Sequence, residues 1–137
     1  MNTIKGIIKK INIAGLVSLI DVDCSGLIMR VLILQVPASF KEGDEAELFF
    51  KESEVLLVKS NESIEGIKKN ISIENVVNGK IIKIKSGEIF TEVITGTAIG
   101  KIMIITETKA LERLKITELS SVAILIKANS IGLGAIE

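Results

Sequence analysis

Short apolar runs alternate with polar and glycine-containing turns along the whole chain. Most runs have the length of a β-strand and are shorter than a typical helix, which favours an all-β fold. In the N-terminal part the pattern predicts strands at Gly6–Ile13, Leu16–Asp23, Leu27–Gln35, Glu45–Phe50 and Glu54–Lys59. In the C-terminal part it predicts strands at Gly79–Ile84, Ile89–Ile94, Ile99–Thr106, Val122–Lys127 and Ser130–Ile136.

One segment departs from the strand pattern. Between residues 106 and 114, Ala110, Leu111 and Leu114 recur at helical spacing. The hydroxyl of Thr106 could cap the first turn. The pattern therefore predicts one short helix between two strands of the second set.

The two sets of strands are predicted to be two copies of one repeated unit. Asn2 stands four residues before Gly6, as Asn75 stands four residues before Gly79, and each glycine opens a strand rich in Lys and Ile. The spacing predicts repeats over residues 1–60 and 71–137, called here the first half and the second half. Residues 61–70 are polar and charged and form a predicted linker.

Five strands in each half predict two small closed β-barrels of the OB type, with one short helix. A barrel of about 60 residues has a marginal core. The chain has 26 isoleucines, more apolar side chains than one such core can bury. We therefore expect the two halves to pack together and the chain to form a homo-oligomer.

The amino-acid composition excludes many classes of function. Acidic and basic residues number 17 each and cancel, and the chain has no Trp or Tyr and only four Phe. Such a chain is poorly equipped for phosphate tracking or base stacking, so no nucleic-acid partner is expected. The absence of His and the single Cys exclude imidazole chemistry, a disulfide framework and a thiolate zinc site.

No membrane partner is expected either. The longest uncharged stretches, residues 11–20 and 31–40, are half the length of about 20 residues that a spanning helix needs. Lys9 and Lys10 precede an apolar run as in a signal peptide, but Asp21 and Asp23 cut that run short. We therefore predict a cytoplasmic protein.

The sequence offers little for catalysis. Cys24 has no His to activate it, and its acidic neighbour Asp23 raises the thiol pKa instead of lowering it. The segment 96–101 has two glycines and Lys101 but lacks the spacing and the hydroxyl of a P-loop, so it is predicted to be a hairpin turn. The chain is predicted not to be an enzyme.

Two polar segments could hold a small anion. Ser72-Ile-Glu-Asn75 precedes the first strand of the second half, and Lys127-Ala-Asn-Ser130 lies next to its last strand. Compact oxyanions are bound by hydroxyl and amide donors, free backbone N–H groups and Lys charges, which both segments supply. Ordinary polar turns have the same residue types, so the residues alone leave both interpretations open.

These motifs resemble the molbindin domain, also called Mop or TOBE. Repeats of that family begin Ser-Ala-Arg-Asn, carry Ile-Thr before a short helix and end Ile-Lys-Ala-Ser-Ser-Val. The second half has Ser72-Ile-Glu-Asn75, then Ile105-Thr106, then the run Ile126-Lys-Ala-Asn-Ser-Ile131. The first half matches more loosely, and the two together resemble a tandem di-Mop protein.

The resemblance implies OB-like barrels that bind molybdate or tungstate in the cytoplasm for storage, buffering or homeostasis. It also implies a trimer, with anions bound where subunits meet, and no organic cofactor. The anion-binding residues that it implies are Ser72, Ile73, Glu74, Asn75, Thr106, Lys127, Ala128, Asn129 and Ser130, with Asn2, Lys51, Glu52 and Ser53 in the first half.

The chain departs from the family pattern at three places. Glu74 replaces the usual Arg, Glu52 stands where the second half has Ala128, and Met1 stands where Ser is expected. These changes imply fewer or weaker sites. The alternative is a TOBE-type regulatory or interaction module with reduced anion binding, acting with a transporter ATPase or transcription factor on another chain. A pterin binder is disfavoured because stacking residues are scarce.

Overall fold

The computed structural model describes residues 1–34 and 40–136 and consists mainly of strands. Each of its ten strands overlaps a predicted one, so the predicted all-β class is confirmed. The predicted third strand ended at Gln35, which lies outside the described residues. The strands are β1 Asn2–Ala14, β2 Val17–Cys24, β3 Leu27–Ile33, β4 Glu45–Phe50, β5 Leu56–Lys59, β6 Asn75–Lys85, β7 Phe90–Thr97, β8 Gly100–Glu107, β9 Ser121–Ile126 and β10 Gly132–Ala135.

Two short helices connect strands. Helix α2, Thr108–Leu114, confirms the predicted helix, but the predicted cap is wrong. Thr106 still belongs to β8, the capping position is Glu107, and no side chain caps the helix. Helix α1, Ile64–Lys68, lies in the predicted linker. Within the described ranges, no helix has the length and apolar character that crossing a membrane requires.

The strands form two five-stranded sheets that exchange their last strands. The order is β10-β4-β1-β2-β3 in one sheet and β5-β9-β6-β7-β8 in the other. Thus β5 of the first half pairs with β9, and β10 of the second half pairs with β4. The boundaries at 1–60, 61–70 and 71–137 stay a prediction about the sequence, since each sheet contains residues from both halves.

The repeat is visible in the backbone of the first strand of each half. Both β1 and β6 contain a bulge two residues after their glycine, between Ile8 and Lys10 and between Ile81 and Lys83. A Cβ at Gly6 would lie 2.7 Å from the carbonyl oxygen of Asp23, and one at Gly79 would lie 2.9 Å from that of Gly96. The glycines are therefore required by the close approach of the next strand.

One hydrophobic core joins the two sheets. Its fully buried side chains come from both halves, and the largest of them are Phe50, Ile8, Ile20, Met29, Leu48, Ile81, Ile102, Ile104, Ile124 and Ile126. A second, smaller cluster is formed by Ile67 of α1 with Val76, Ala123 and Leu125 of the second half. The expected packing of the two halves against each other is thus observed, and it fixes the relative position of loops from both halves.

Candidate functional site

Two buried asparagines tie the halves together at their edges. The Asn75 Oδ1 accepts the Arg30 backbone N–H at 2.7 Å, and its Nδ2 donates to the Arg30 carbonyl at 2.8 Å. Asn2 does the same with Met103, at 2.8 Å for both bonds. Each asparagine therefore satisfies a backbone N–H and a backbone carbonyl of an edge strand in the other half. Because the side-chain amides are used in this way, anion contact by Asn2 and Asn75 stays a prediction.

The Asn75 contact lies beside a groove of about 360 Å³, called here the second-half groove. It brings together both polar segments singled out in the sequence of the second half. Two strands of the first half, β2 and β3, form its opposite wall. The lining residues are Leu19, Arg30, Leu32, Ser72, Ile73, Glu74, Lys127, Ala128 and Asn129.

The 3₁₀ turn Ala128–Ser130 shapes one side of this groove. It follows directly after Lys127, and the Ser130 N–H donates to the Lys127 carbonyl at 2.9 Å. The turn contacts β3, the strand that carries Arg30. Lys127 and Ser72 are exposed, so both side chains are accessible to a solute in the groove.

Among residues 1–34 and 40–136, the charges around the second-half groove form two ion pairs, and Lys127 has no ion-pair partner. Arg30 Nε donates to Asp21 Oδ1 at 3.0 Å, and Lys68 Nζ lies 2.8 Å from Glu74 Oε2. The hydrogen bond from Lys68 lowers the pKa of the Glu74 carboxyl, so this group stays ionised at neutral pH. The hydrogen bond to Asp21 raises the pKa of the Arg30 guanidinium. With Lys127 added, the groove has a surplus of one positive charge.

The first half has a smaller pocket beside its 3₁₀ turn, Glu52–Glu54. This pocket of about 140 Å³, called here the first-half pocket, is lined by Met1, Phe49, Phe50, Lys51, Glu54, Ser130 and Gly132. Of the four first-half residues predicted to bind an anion, only Lys51 lines it. The Glu52 carboxylate pairs with the amino group of Met1, and Ser53 is exposed.

Two residues predicted for the second-half site lie elsewhere. Ser130 lines the first-half pocket, and Thr106 lies on β8, which contacts the first-half 3₁₀ turn Glu52–Glu54. Neither residue lines the second-half groove. Their contribution to anion binding stays a prediction.

Sequence reasoning missed the first-half wall of the groove, above all Arg30. The sequence of the hairpin formed by β2 and β3 did contain an indication that Arg30 is important. With a turn at Ser25–Gly26, Cys24 pairs with Leu27, and the register then places Asp21 opposite Arg30. Opposite charges at facing positions stabilise strand pairing, and Arg30 is the only charged residue of β3, so the pair could have drawn attention to this face.

Two kinds of reactive centre are relevant among residues 1–34 and 40–136, a metal cluster and a reactive thiol. No group of three His, Cys, Asp or Glu side chains there could hold a metal ion. Burial, and secondarily Asp23, raises the pKa of Cys24 to about 11, as expected for an inert thiol. The segment 96–101 is a hairpin turn in which Thr97 Oγ1 donates to the Gly100 carbonyl at 2.6 Å.

No protein-family model and no curated protein sequence matches this chain. The structure is similar to a crystal structure of ModG, a cytoplasmic molybdate-binding protein, with molybdate bound. The TM-score is 0.88 at 21% sequence identity, over 98% of this chain and 96% of that one. This chain has the same fold. The OB-like architecture of two five-stranded units predicted from the sequence is thereby confirmed.

A second similarity is to MopII from Clostridium pasteurianum. It covers 43% of this chain and 90% of that one at 28% identity, with a TM-score of 0.41. That score is too low to support a conclusion. The fold is therefore assigned from the similarity to ModG, and the function has to be argued from the residues in the groove.

Proposed function

We propose that this chain belongs to the molbindin family and binds a tetrahedral oxyanion, molybdate or tungstate, without catalysing a reaction. The observation that carries the proposal is the second-half groove, in which Arg30 and Lys127 lie on facing walls with Ser72 between apolar residues. Two cations and a hydroxyl donor suit a small dianion. The likeness of the fold to molybdate-loaded ModG supports the same ligand class.

The groove suits binding better than reaction. It has donors and positive charge, but the chain has no His to activate the Ser72 hydroxyl, and the Cys24 thiol is fully buried. We propose that the chain stores or buffers the anion in the cytoplasm. Retention of a dianion needs only preorganised donors, which the paired and clamped side chains of the groove supply.

We also propose that the chain works as a homo-oligomer, with a trimer favoured. Several large apolar side chains are more than two-thirds exposed, namely Ile13, Leu16, Leu34, Ile89 and Leu119. Burial of such side chains between chains would remove apolar surface from water, which favours self-association. The second-half groove is open on one side, so a neighbouring subunit could complete the enclosure of the anion.

The proposal is tested by calorimetric titration of anion-stripped protein with molybdate, tungstate and sulfate, with native mass spectrometry on the same samples. Micromolar or tighter uptake of molybdate or tungstate, with sulfate silent, is the expected result. Mass spectrometry gives the oligomeric state and the number of anions per chain. A folded protein that takes up none of the three anions would refute the proposal and favour the interaction module.

A further inference from the structure

Arg30 is a first-half residue in a groove whose other polar residues belong to the second half. It lies on β3, and it faces Ser72, Glu74 and Lys127 across the second-half groove. The chain has only two arginines, and the other, Arg113, is exposed on α2. The position of Arg30 thus depends on how the two halves pack against each other.

Both the backbone and the side chain of Arg30 are held in place. Asn75, only 1% exposed, binds its N–H and its carbonyl, and Asp21 accepts a hydrogen bond from Nε. Among residues 1–34 and 40–136, the guanidinium makes its hydrogen bond through Nε alone. The terminal nitrogens Nη1 and Nη2 are the donors that a ligand can take. A guanidinium fixed in this way loses little conformational freedom when it binds an anion.

The carboxylate in the groove does not cancel this charge. Glu74 is paired with Lys68 at 2.8 Å, so its negative charge is already balanced by a lysine from α1. Asp21 balances part of the charge of Arg30 but contacts it from β2, on the first-half wall. The side chain of Arg30 remains 37% exposed, which gives a solute access to it.

We propose that Arg30 binds the anion in the second-half groove together with Lys127, and that Asn75 is a positioning residue that acts through Arg30. The ligand class is a tetrahedral oxyanion dianion, bound by Nη1 and Nη2 from one half and by the lysine from the other. This inference rests on the proposed function. It adds that neither half of the chain supplies the charges of the site alone.

The first test compares Arg30→Ala and Arg30→Gln with Arg113→Ala in the full chain, by calorimetric titration with molybdate. The control removes the same charge from an exposed position outside the groove. Circular dichroism and thermal melting establish that each variant is folded. We expect both Arg30 variants to weaken binding at least tenfold, because a charge-assisted hydrogen bond is lost, and the control to stay within twofold.

The outcomes separate the two proposals. If the wild type binds molybdate and both Arg30 variants bind it equally well, the role of Arg30 is refuted and the proposed function stands. If the wild type binds neither molybdate nor tungstate, both proposals are overturned. Equal losses in the Arg30 and Arg113 variants would show a general charge effect and would also overturn the role of Arg30.

The second test is a double-mutant cycle that measures whether Asn75 acts through Arg30. Asn75→Ala alone is expected to weaken molybdate binding severalfold. In the Arg30→Gln background the same change should weaken it no further, because the group that it positions is already absent. Additive losses would overturn the positioning role. If Asn75→Ala does not fold, Asn75→Ser gives the same comparison with a smaller disturbance.

Discussion

The second-half groove and the first-half pocket lie in the two halves of a repeated fold, but they differ in walls, charge and size, because β7 and β8 do not line the pocket as β2 and β3 line the groove. Both adjoin a 3₁₀ turn that follows a lysine, Lys127 in one half and Lys51 in the other. The groove has about 360 Å³ and is lined by Arg30, Lys127 and Glu74, whereas the pocket has about 140 Å³ and its charged lining consists of Lys51, Glu54 and Met1, whose amino group is paired with Glu52. Two repeats with the same fold therefore do not form two equivalent sites.

The difference arises at the residues held by the two asparagines. Asn75 holds the backbone of Arg30, and Asn2 holds the backbone of Met103. The hydrogen bonds are nearly the same, but Arg30 lines the second-half groove, whereas Met103 does not line the first-half pocket. The same pair of hydrogen bonds, repeated in the two halves, thus holds a proposed binding residue in one case and a structural residue in the other.

The largest expected effect on molybdate affinity comes from removing Lys127, the lysine of the second-half groove. We expect Lys127→Ala to weaken molybdate binding at least tenfold, because hydrogen bonds to charged groups contribute about 1.5–3 kcal/mol. Lys51→Ala, its matched control, should change the affinity less than threefold. Titration calorimetry measures both. If Lys51→Ala caused the larger loss, the assignment of the stronger site to the second half would be wrong.

The next effect concerns stability. Asn2→Ala leaves the Met103 backbone N–H and carbonyl without partners, so we expect a loss of about 1–3 kcal/mol in the free energy of unfolding. Urea denaturation measures it, with Asn12→Ala, an exposed asparagine of the same strand, as the control. Molybdate binding in the second-half groove should be unchanged. A loss of binding equal to that of Asn75→Ala would contradict the division of roles between the asparagines.

A smaller effect is expected from the carboxylate of the groove. Glu74→Gln should tighten molybdate binding about two- to fivefold, since an exposed negative charge near the ligand is removed and Lys68 is released from its ion pair. Glu74→Arg should act in the same direction. The control is Glu54→Gln in the first-half pocket, which should have no effect on this site. Weaker binding after Glu74→Gln would mean that the carboxylate orders the groove.

The smallest expected effect is on the chemical reactivity of Cys24, which lies away from both the groove and the pocket. Cys24 is fully buried, and its pKa is raised to about 11, so the neutral thiol persists in the folded protein well above pH 8. We expect a thiol reagent at pH 8 to leave the native protein unmodified and to label it completely in denaturant. Mass spectrometry checks this. Fast labelling of the native protein would show that the end of β2 opens.

Local patterns in the sequence predict most of the fold. The positions of the strands, the paired glycines of β1 and β6 and the helix near Leu111 depend on neighbouring residues, and all of them are found in the structure. The strand ends are less accurate, because β1 and β6 each begin four residues earlier than predicted, at Asn2 and Asn75. The exchange of β5 and β10 could not be predicted in this way. Either pairing buries the same apolar faces, so the choice between them depends on contacts between residues far apart in the chain.

The candidate site was predictable only in part for the same reason. Ser72 and Lys127 belong to motifs within one half, and the structure brings them to one groove. Arg30 comes from the other half, and its place depends on the shared core and on the Asn75 contact. A motif describes what neighbouring residues can do, and it contains no information about which residues the other half of the chain places opposite them.

The exchange of β5 and β10 also determines how the chain folds and melts. Gly132 pairs with Phe49 across more than half of the sequence, and a Cβ at Gly132 would overlap the Phe49 ring, so the two strands fit closely. Pairings between such distant residues slow folding, because a long loop must close before they form. Neither sheet keeps five strands if the other half unfolds. The chain should therefore unfold in a single cooperative step, and an anion held in one groove would protect both halves from local opening.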